Sequence, residues 1–228
     1  MRLARCIAVA HHIKWRAIAQ CRNAFSETGV WLGNGGVAVA VITVAAFVGG
    51  VRGLLIQAAH PEVVAGVADH SRYREDPLGR LSRTSDYVTA TSYGAMPEVE
   101  QAVRIVRAAH RRVVGTSHRG IAYRADDPPL AAWVHNSLTD SFLACHRAYG
   151  GRQLSHEEAD QFVREQARIG RMLDADPIPE TADELTRWVA EHPAVGPSPG
   201  MREAVAFLRE PPLDPAVLMG YRVLASAA

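Results

Sequence analysis

The stretch "PPLAAWVHNSLTDSFLACHRAYGG" (residues 128–151) decides how this chain is to be read. It opens on two prolines, which suit the first helical turn, and closes on two glycines, which suit a helix end. Between them Ala131, His135, Leu138 and Phe142 recur at helical spacing, so a long helix carries a histidine on its apolar stripe.

The neighbouring segments repeat this grammar. "MPEVEQAVRIVRAAHRRVVG" (96–115) places Val99, Ala102, Val103, Val106, His110 and Val113 on one stripe and predicts a helix that stops at Gly115. "GGVRGLLIQAAHP" (49–61) is an apolar helix that must end near His60, because proline disfavours helix at the residue before it. Asp76-Pro77, Ser198-Pro199 and Asp214-Pro215 each read as a cap followed by proline at the first helical position. "SHEE" (155–158) and "TADE" (181–184) are capping boxes. Strand signals are confined to "GTSHRGIAYRADD" (115–127), which suits a short two-stranded excursion. The expectation is an all-α single domain of about eight helices over residues 35–228, preceded by an N-terminal arm, 1–34, without a clean helical stripe.

Composition narrows the function. At 228 residues the chain can bury a sizeable core, and 48% hydrophobic with 21% charged residues is ordinary for a globular protein. A formal net charge of +1 gives no reason to expect a nucleic-acid partner. Cys6, Cys21 and Cys145 form neither a disulfide framework nor a zinc pattern, which suits a reducing cytoplasm. The apolar run from Gly35 to Val51 falls short of the roughly 20 residues that span a bilayer and is closed by Arg52. It reads as a buried helix rather than a signal or span, with peripheral contact to a membrane surface left open. P-loop, GxGxxG, HExxH, GxSxG and CxxC motifs are all missing from the sequence.

Histidines and one arginine-bearing helix face carry what chemistry can be read. His135 is either a core imidazole bonded to a backbone carbonyl or a metal or haem ligand in a pocket between helices. His110 shares an apolar-face address and reads as structural, and His60 suits the C-terminal dipole of its helix. Asp69 and His70 are adjacent, so they do not face each other on a helix. A helix begun at Pro77 lines up Arg80, Arg83, Thr84, Tyr87 and Thr91. That face is either solvated, with the arginines paired to Asp76 or Asp86, or it lines a pocket that holds an anion such as a haem propionate.

Three stretches in order, "GGVRGLLIQAAHPEVVAGVADHSRYREDPLGRLSRT", "AAHRRVVGT" and "DDPPLAAWVHNSLTDSF", resemble the family of rubber oxygenases (latex clearing proteins) and MpaB-type oxygenases. "LDPAVLMGYRVLASAA" at the C-terminus resembles its final helix. The resemblance implies an all-α fold and, as in the rubber-cleaving members, one haem b. It implies that His135 is the proximal iron ligand and that Arg80 and Thr84 stand beside the haem, as in the family's Arg-x-x-Lys-Thr pattern. The lysine of that pattern, which can close the distal side, is replaced here by Arg83, and the sole lysine is Lys14. A guanidinium is a poor iron ligand because it stays protonated. Glu62, Asp69 and Glu75 are candidates for the distal acid or base.

The resulting expectation is a haem b-dependent oxidoreductase, an oxygenase that uses dioxygen or peroxide on an apolar, isoprenoid-like substrate. In it His135 holds the iron, Arg80 a propionate or the distal side, Thr84 a hydroxyl near the iron, and Arg83 tunes distal polarity. Two rivals stand beside it: a helical protein that binds haem or an apolar ligand without turnover, and a non-haem metal site built from His60, Asp69, His70 and His135.

Overall fold

The computed structural model describes residues 44–149 and 152–228. The expected arm at 1–34 lies outside the described residues. Nine helices and one small hairpin follow in order: α1 Val44–Ala58, α2 Pro61–His70, α3 Pro77–Tyr93, α4 Met96–His110, β1 Val114–Thr116, β2 Ala122–Arg124, α5 Pro128–Tyr149, α6 His156–Met172, α7 Ala182–Ala190, α8 Pro199–Arg209 and α9 Pro215–Ala225. The all-α expectation holds. The helix beyond the expected number is α2, and one dipeptide makes it: Pro61 forces His60 into extended backbone, which ends α1, and then serves as the first residue of α2.

Local capping chemistry explains most of the boundaries. The Asp76 carboxylate accepts the Gly79 N–H at 2.9 Å and starts α3. Ser155 Oγ accepts the Glu158 N–H while the Glu158 carboxylate accepts the Ser155 N–H at 2.8 Å, a complete capping box for α6. Thr181 and Ser198 accept the N–H of Glu184 and Met201 and so cap α7 and α8, but neither end closes a capping box, although one was expected at 181–184. One boundary departs from expectation. Helix α4 ends at His110, not at Gly115, because Val114–Thr116 pairs antiparallel with Ala122–Arg124. Gly115 is needed there for space, since a Cβ would collide with the Tyr123 hydroxyl. The hairpin turns at Gly120, whose φ of +75° favours a residue without Cβ.

The most extensive packing in the domain joins α1 to α5. A Cβ on Gly49 would lie 2.8 Å from Phe142 Cδ1 and 3.3 Å from the Ser141 carbonyl, and one on Gly53 would lie 3.0 Å from Leu138 Cδ1. Two glycines one turn apart thus let the helix backbones approach closely. Buried hydroxyls on α5 are satisfied within the helix: Ser137 and Ser141 donate to the carbonyls four residues back, each at 2.6 Å. At the seam Arg52 donates to Asp140 at 2.8 Å and to Ser141 Oγ at 2.9 Å, and Thr186 of α7 donates to the other Asp140 oxygen at 3.0 Å. Around this seam Trp133, Leu143, Phe162, Ile169, Leu185, Val99 and Val103 close the main core. Each such aliphatic or phenyl side chain contributes about 1.5–3 kcal/mol on burial.

Asp140 is 4% exposed and holds two other helices, so its removal should be costly. Asp140→Ala strands the Arg52 guanidinium at the seam, and a loss of about 3 kcal/mol is expected from urea unfolding. A loss below about 1 kcal/mol would show that the seam is held by packing alone.

Candidate functional site

His135 lies one turn beyond Ala131 on the same face of α5. Its helical neighbours Leu138, Thr139 and Phe142 join it in lining a cleft between α3, α5 and α6, closed by Tyr87, Val88, Thr91 and Ser92 of α3 and by Phe162, Gln166 and Ile169 of α6. Ala131, on the same stripe, packs with Ala132 and Ala175. The cleft has a volume of about 20 Å³, room for about one water and far below the volume of a ligand-binding cavity.

The histidine is held from the α6 side. The backbone carbonyl of Gln166 lies within reach of the ring and favours its protonated form. A Cβ on Gly170, one turn further on, would lie 2.8 Å from His135 Cδ2 and 2.9 Å from Nε2, so only glycine leaves room for the imidazole against α6. Burial lowers the His135 pKa from 6.5 to about 4, and the carbonyl opposes this only in part. The ring is therefore neutral at pH 7, with one nitrogen protonated and the other carrying a lone pair. This is the state a metal-binding imidazole requires.

The three α3 residues expected at the site occupy the outer turns of that helix. Arg83 is exposed, and its Nη1 lies 3.6 Å from Asp76 Oδ2. Thr84 is exposed and donates to the Arg80 carbonyl at 3.0 Å. Arg80 is half-buried, its guanidinium 6.0 Å above the Tyr73 ring, and no carboxylate pairs with it among the described residues. Burial lowers its pKa, with Tyr73 raising it and Arg83 lowering it further. The helix face picked out from sequence thus divides: its inner end, Tyr87 and Thr91, reaches the cleft, while Arg80, Arg83 and Thr84 are not among the residues that line it.

The other histidines and acids are engaged elsewhere. His60 does not sit at a solvated helix end. It caps α2, 5% exposed, with Nδ1 3.3 Å from Glu62 and its ring 5.7 Å from Trp133 and 5.5 Å from His192. Burial takes its pKa to about 4, against the pull of Glu62. Glu62 accepts from Arg119 Nη2 at 2.6 Å and from Ser117 Oγ at 2.7 Å. Asp69 accepts from Tyr123 Oη at 2.6 Å, and His70 Nε2 meets the Val114 carbonyl at 3.0 Å, so both tie α2 to the hairpin. Glu75 is exposed, and His110 is half-buried on α4. No three His, Cys, Asp or Glu side chains converge on a metal-sized site among the described residues, so His60, Asp69, His70 and His135 form no joint site. Sequence reasoning missed Gln166 and Gly170. A glycine inside the strongly amphipathic segment 156–172 was the available signal.

Fold and cleft define a class: an all-α protein with one neutral imidazole held in an apolar space between helices. Residues 38–228 match the model of a family described as ER-bound oxygenase mpaB/B'/Rubber oxygenase, catalytic domain, and the chain belongs to that family of oxygenases. No curated protein and no solved structure matches the chain. No helix is long and apolar enough to cross a membrane among the described residues.

His60 and His135, whose pKa values both fall to about 4, give a pH dependence of fixed sign. Their pKa values are lower in the fold, about 4, than the unfolded 6.5, so the unfolded chain takes up protons first. Stability is then complete above about pH 6.5 and is lost as pH falls towards 4, by up to about 3 kcal/mol for each histidine. Thermal unfolding followed by circular dichroism should show a level Tm from pH 8 to 7 and a fall between pH 6.5 and 4.5, shallower in His135→Asn. A Tm that is flat over that window would mean that both rings are charged in the fold.

Proposed function

We propose that this chain is a haem b-dependent oxygenase that uses dioxygen or peroxide on an apolar, isoprenoid-like substrate. The observation that carries the reading is His135: a neutral imidazole beside the Gln166 carbonyl, in a mostly apolar cleft between three helices. Bound haem would supply the redox chemistry and the activation of oxygen, which none of the side chains in the cleft can perform.

The chain's own residues suit that group in three respects. His135 offers an uncharged nitrogen ligand, and Gly170 keeps the space its ring occupies. Val88, Leu138, Phe142, Phe162 and Ile169 offer apolar surface to a flat macrocycle and exclude water from it. Arg80, half-buried without a carboxylate partner, is the guanidinium we assign to a propionate, with Thr84 and Arg83 along the same face. As α3 lies, the cleft is too small for a macrocycle, and the haem reading requires α3 to move outward. Packing leaves α3 free to do so: only Thr91 and Ser92 are buried on it, and Leu78 and Leu81 are 51% and 45% exposed.

A second reading, a carrier of haem or an apolar ligand without turnover, has one observation in its favour. No carboxylate lines the cleft among the described residues, so an obvious proton acceptor is missing from it. Dioxygen uptake in the presence of an apolar alkene separates the two readings.

Protein purified from haem-replete cells should show a Soret band and about one iron per chain. His135→Ala should lose or loosen the haem while the fold survives, because truncating this one side chain costs about 1–3 kcal/mol. His110→Ala is the control, and haem content that follows His110 would refute the assignment.

Arg80→Ala tests the anion site. A charge-assisted bond is worth about 1.5–3 kcal/mol, so haem affinity in a titration should fall about ten- to hundredfold. Unchanged affinity would return this helix face to solvent.

A further inference from the structure

A second cavity, of about 470 Å³, lies between α7 and the chain segment 177–179. That is the size of a small-molecule site, whereas the cleft at His135 has room for about one water. Glu184, Trp188 and Glu191 line it at positions i, i+4 and i+7, so one face of α7 and its end supply them. Pro177, Pro179 and Pro193 add stiff apolar surface to the same cavity.

Two aromatic rings make a corner of this cavity. Trp188 and His192 meet edge to face, with centroids 4.7 Å apart and planes at 65°. Each also packs on the buried Trp133, at 5.9 and 4.7 Å, which ties the corner to the core. Burial lowers the His192 pKa below 6.5, so this ring is neutral at pH 7 and does not repel a cation. The charges around the rings are unmatched. Glu184, Arg187 and Glu191 form no ion pair among the described residues, although Arg187 stands three and four residues from the two glutamates, the spacing at which helical pairs form. Two carboxylates against one guanidinium leave the rim acidic. Helix α7 ends at Ala190, beside these rings, and a helix C-terminus favours positive charge.

We propose that this pocket binds a small organic cation, an ammonium group on an apolar body, with the charged head over the Trp188 ring and within reach of Glu184 and Glu191. Indole is the aromatic face that attracts a cation best, and an apolar body finds proline surface beside it. An anion would meet Arg187 with a carboxylate on either side of it in the helix, and a wholly apolar ligand would leave both carboxylates unused. The proposal does not depend on the haem reading.

The test titrates the full chain with choline chloride at fixed ionic strength, followed by NMR at the Trp188 indole N–H and the backbone amides of residues 187–192. These signals should shift saturably, with a Kd of about 1–20 mM for so small a probe. The neutral isostere 3,3-dimethylbutan-1-ol should bind at least about fivefold more weakly, because it has the shape without the charge. Glu184→Gln combined with Glu191→Gln should raise the choline Kd about three- to tenfold, and Trp188→Leu should raise it further. Because Trp188 also packs on Trp133, the double glutamine variant, altered only at exposed positions, decides the case if Trp188→Leu does not fold. The proposal is overturned if choline causes no saturable shift, if the neutral isostere binds equally well, or if the double glutamine variant stays within about twofold of wild type. Sodium acetate that shifts the same signals, with the effect lost in Arg187→Gln, would make this an anion site and overturn it as well. Haem uptake enters none of these outcomes, so this inference and the haem reading fail separately.

Discussion

The close seam between α1 and α5 is the constraint on which the rest of the domain depends. Gly49 and Gly53 remove the side chains that would keep the helices apart, and Arg52, between them in sequence, uses that proximity to reach Asp140 and Ser141. A carboxylate taken out of water must be satisfied on both oxygens, and Thr186 of α7 supplies the second donor. Three helices are thereby fixed by one side chain. Trp133 and Gln57 add a reciprocal pair across the same seam: the indole donates to the Gln57 carbonyl at 3.3 Å, and the Gln57 amide donates to the Val134 carbonyl at 3.1 Å.

The seam also shapes the cleft. Leu138 and Phe142, which line it beside His135, are the side chains that Gly49 and Gly53 meet from the other side. Any bulk added at Gly49 would push Phe142 into the space a ligand uses, so core packing and site volume are one problem here. On the opposite wall Gly170 does for the imidazole what Gly49 does for the phenyl ring. Helices α5 and α6 are firmly packed into the core, whereas α3 covers the cleft with little burial of its own.

Much of the fold was legible in the chain because helix ends are local events. Pro61, Pro77, Pro128, Pro199 and Pro215 each stand at the first position of a helix, and Ser155, Thr181 and Ser198 cap with their own side chains. These effects act within one turn, so their residue types declare them. The end of α4 was misplaced for the converse reason. Gly115 resembles a helix stop, but its need for space comes from Tyr123, a partner eight residues further along the chain.

The site divides along the same line. A histidine on an apolar stripe at position 135, and a helix face running from Arg80 to Thr91, follow from the 3.6-residue repeat and were readable as such. Which end of that face enters the cleft was decided by how α3 lies across α5 and α6: Tyr87 and Thr91 go in, and Arg83 and Thr84 stay in solvent. The same holds for His60, read from sequence at a helix end, and His135, read on an apolar stripe. One is packed against Trp133 and Glu62 and the other against Gln166 and Gly170, in an open cleft. By itself the sequence determined where helices begin, which faces are apolar and which residues have the chemistry of a ligand. Tertiary structure alone decided which of them share a cavity, because burial, protonation state and the pairing of donors with acceptors belong to contacts between segments distant in the chain.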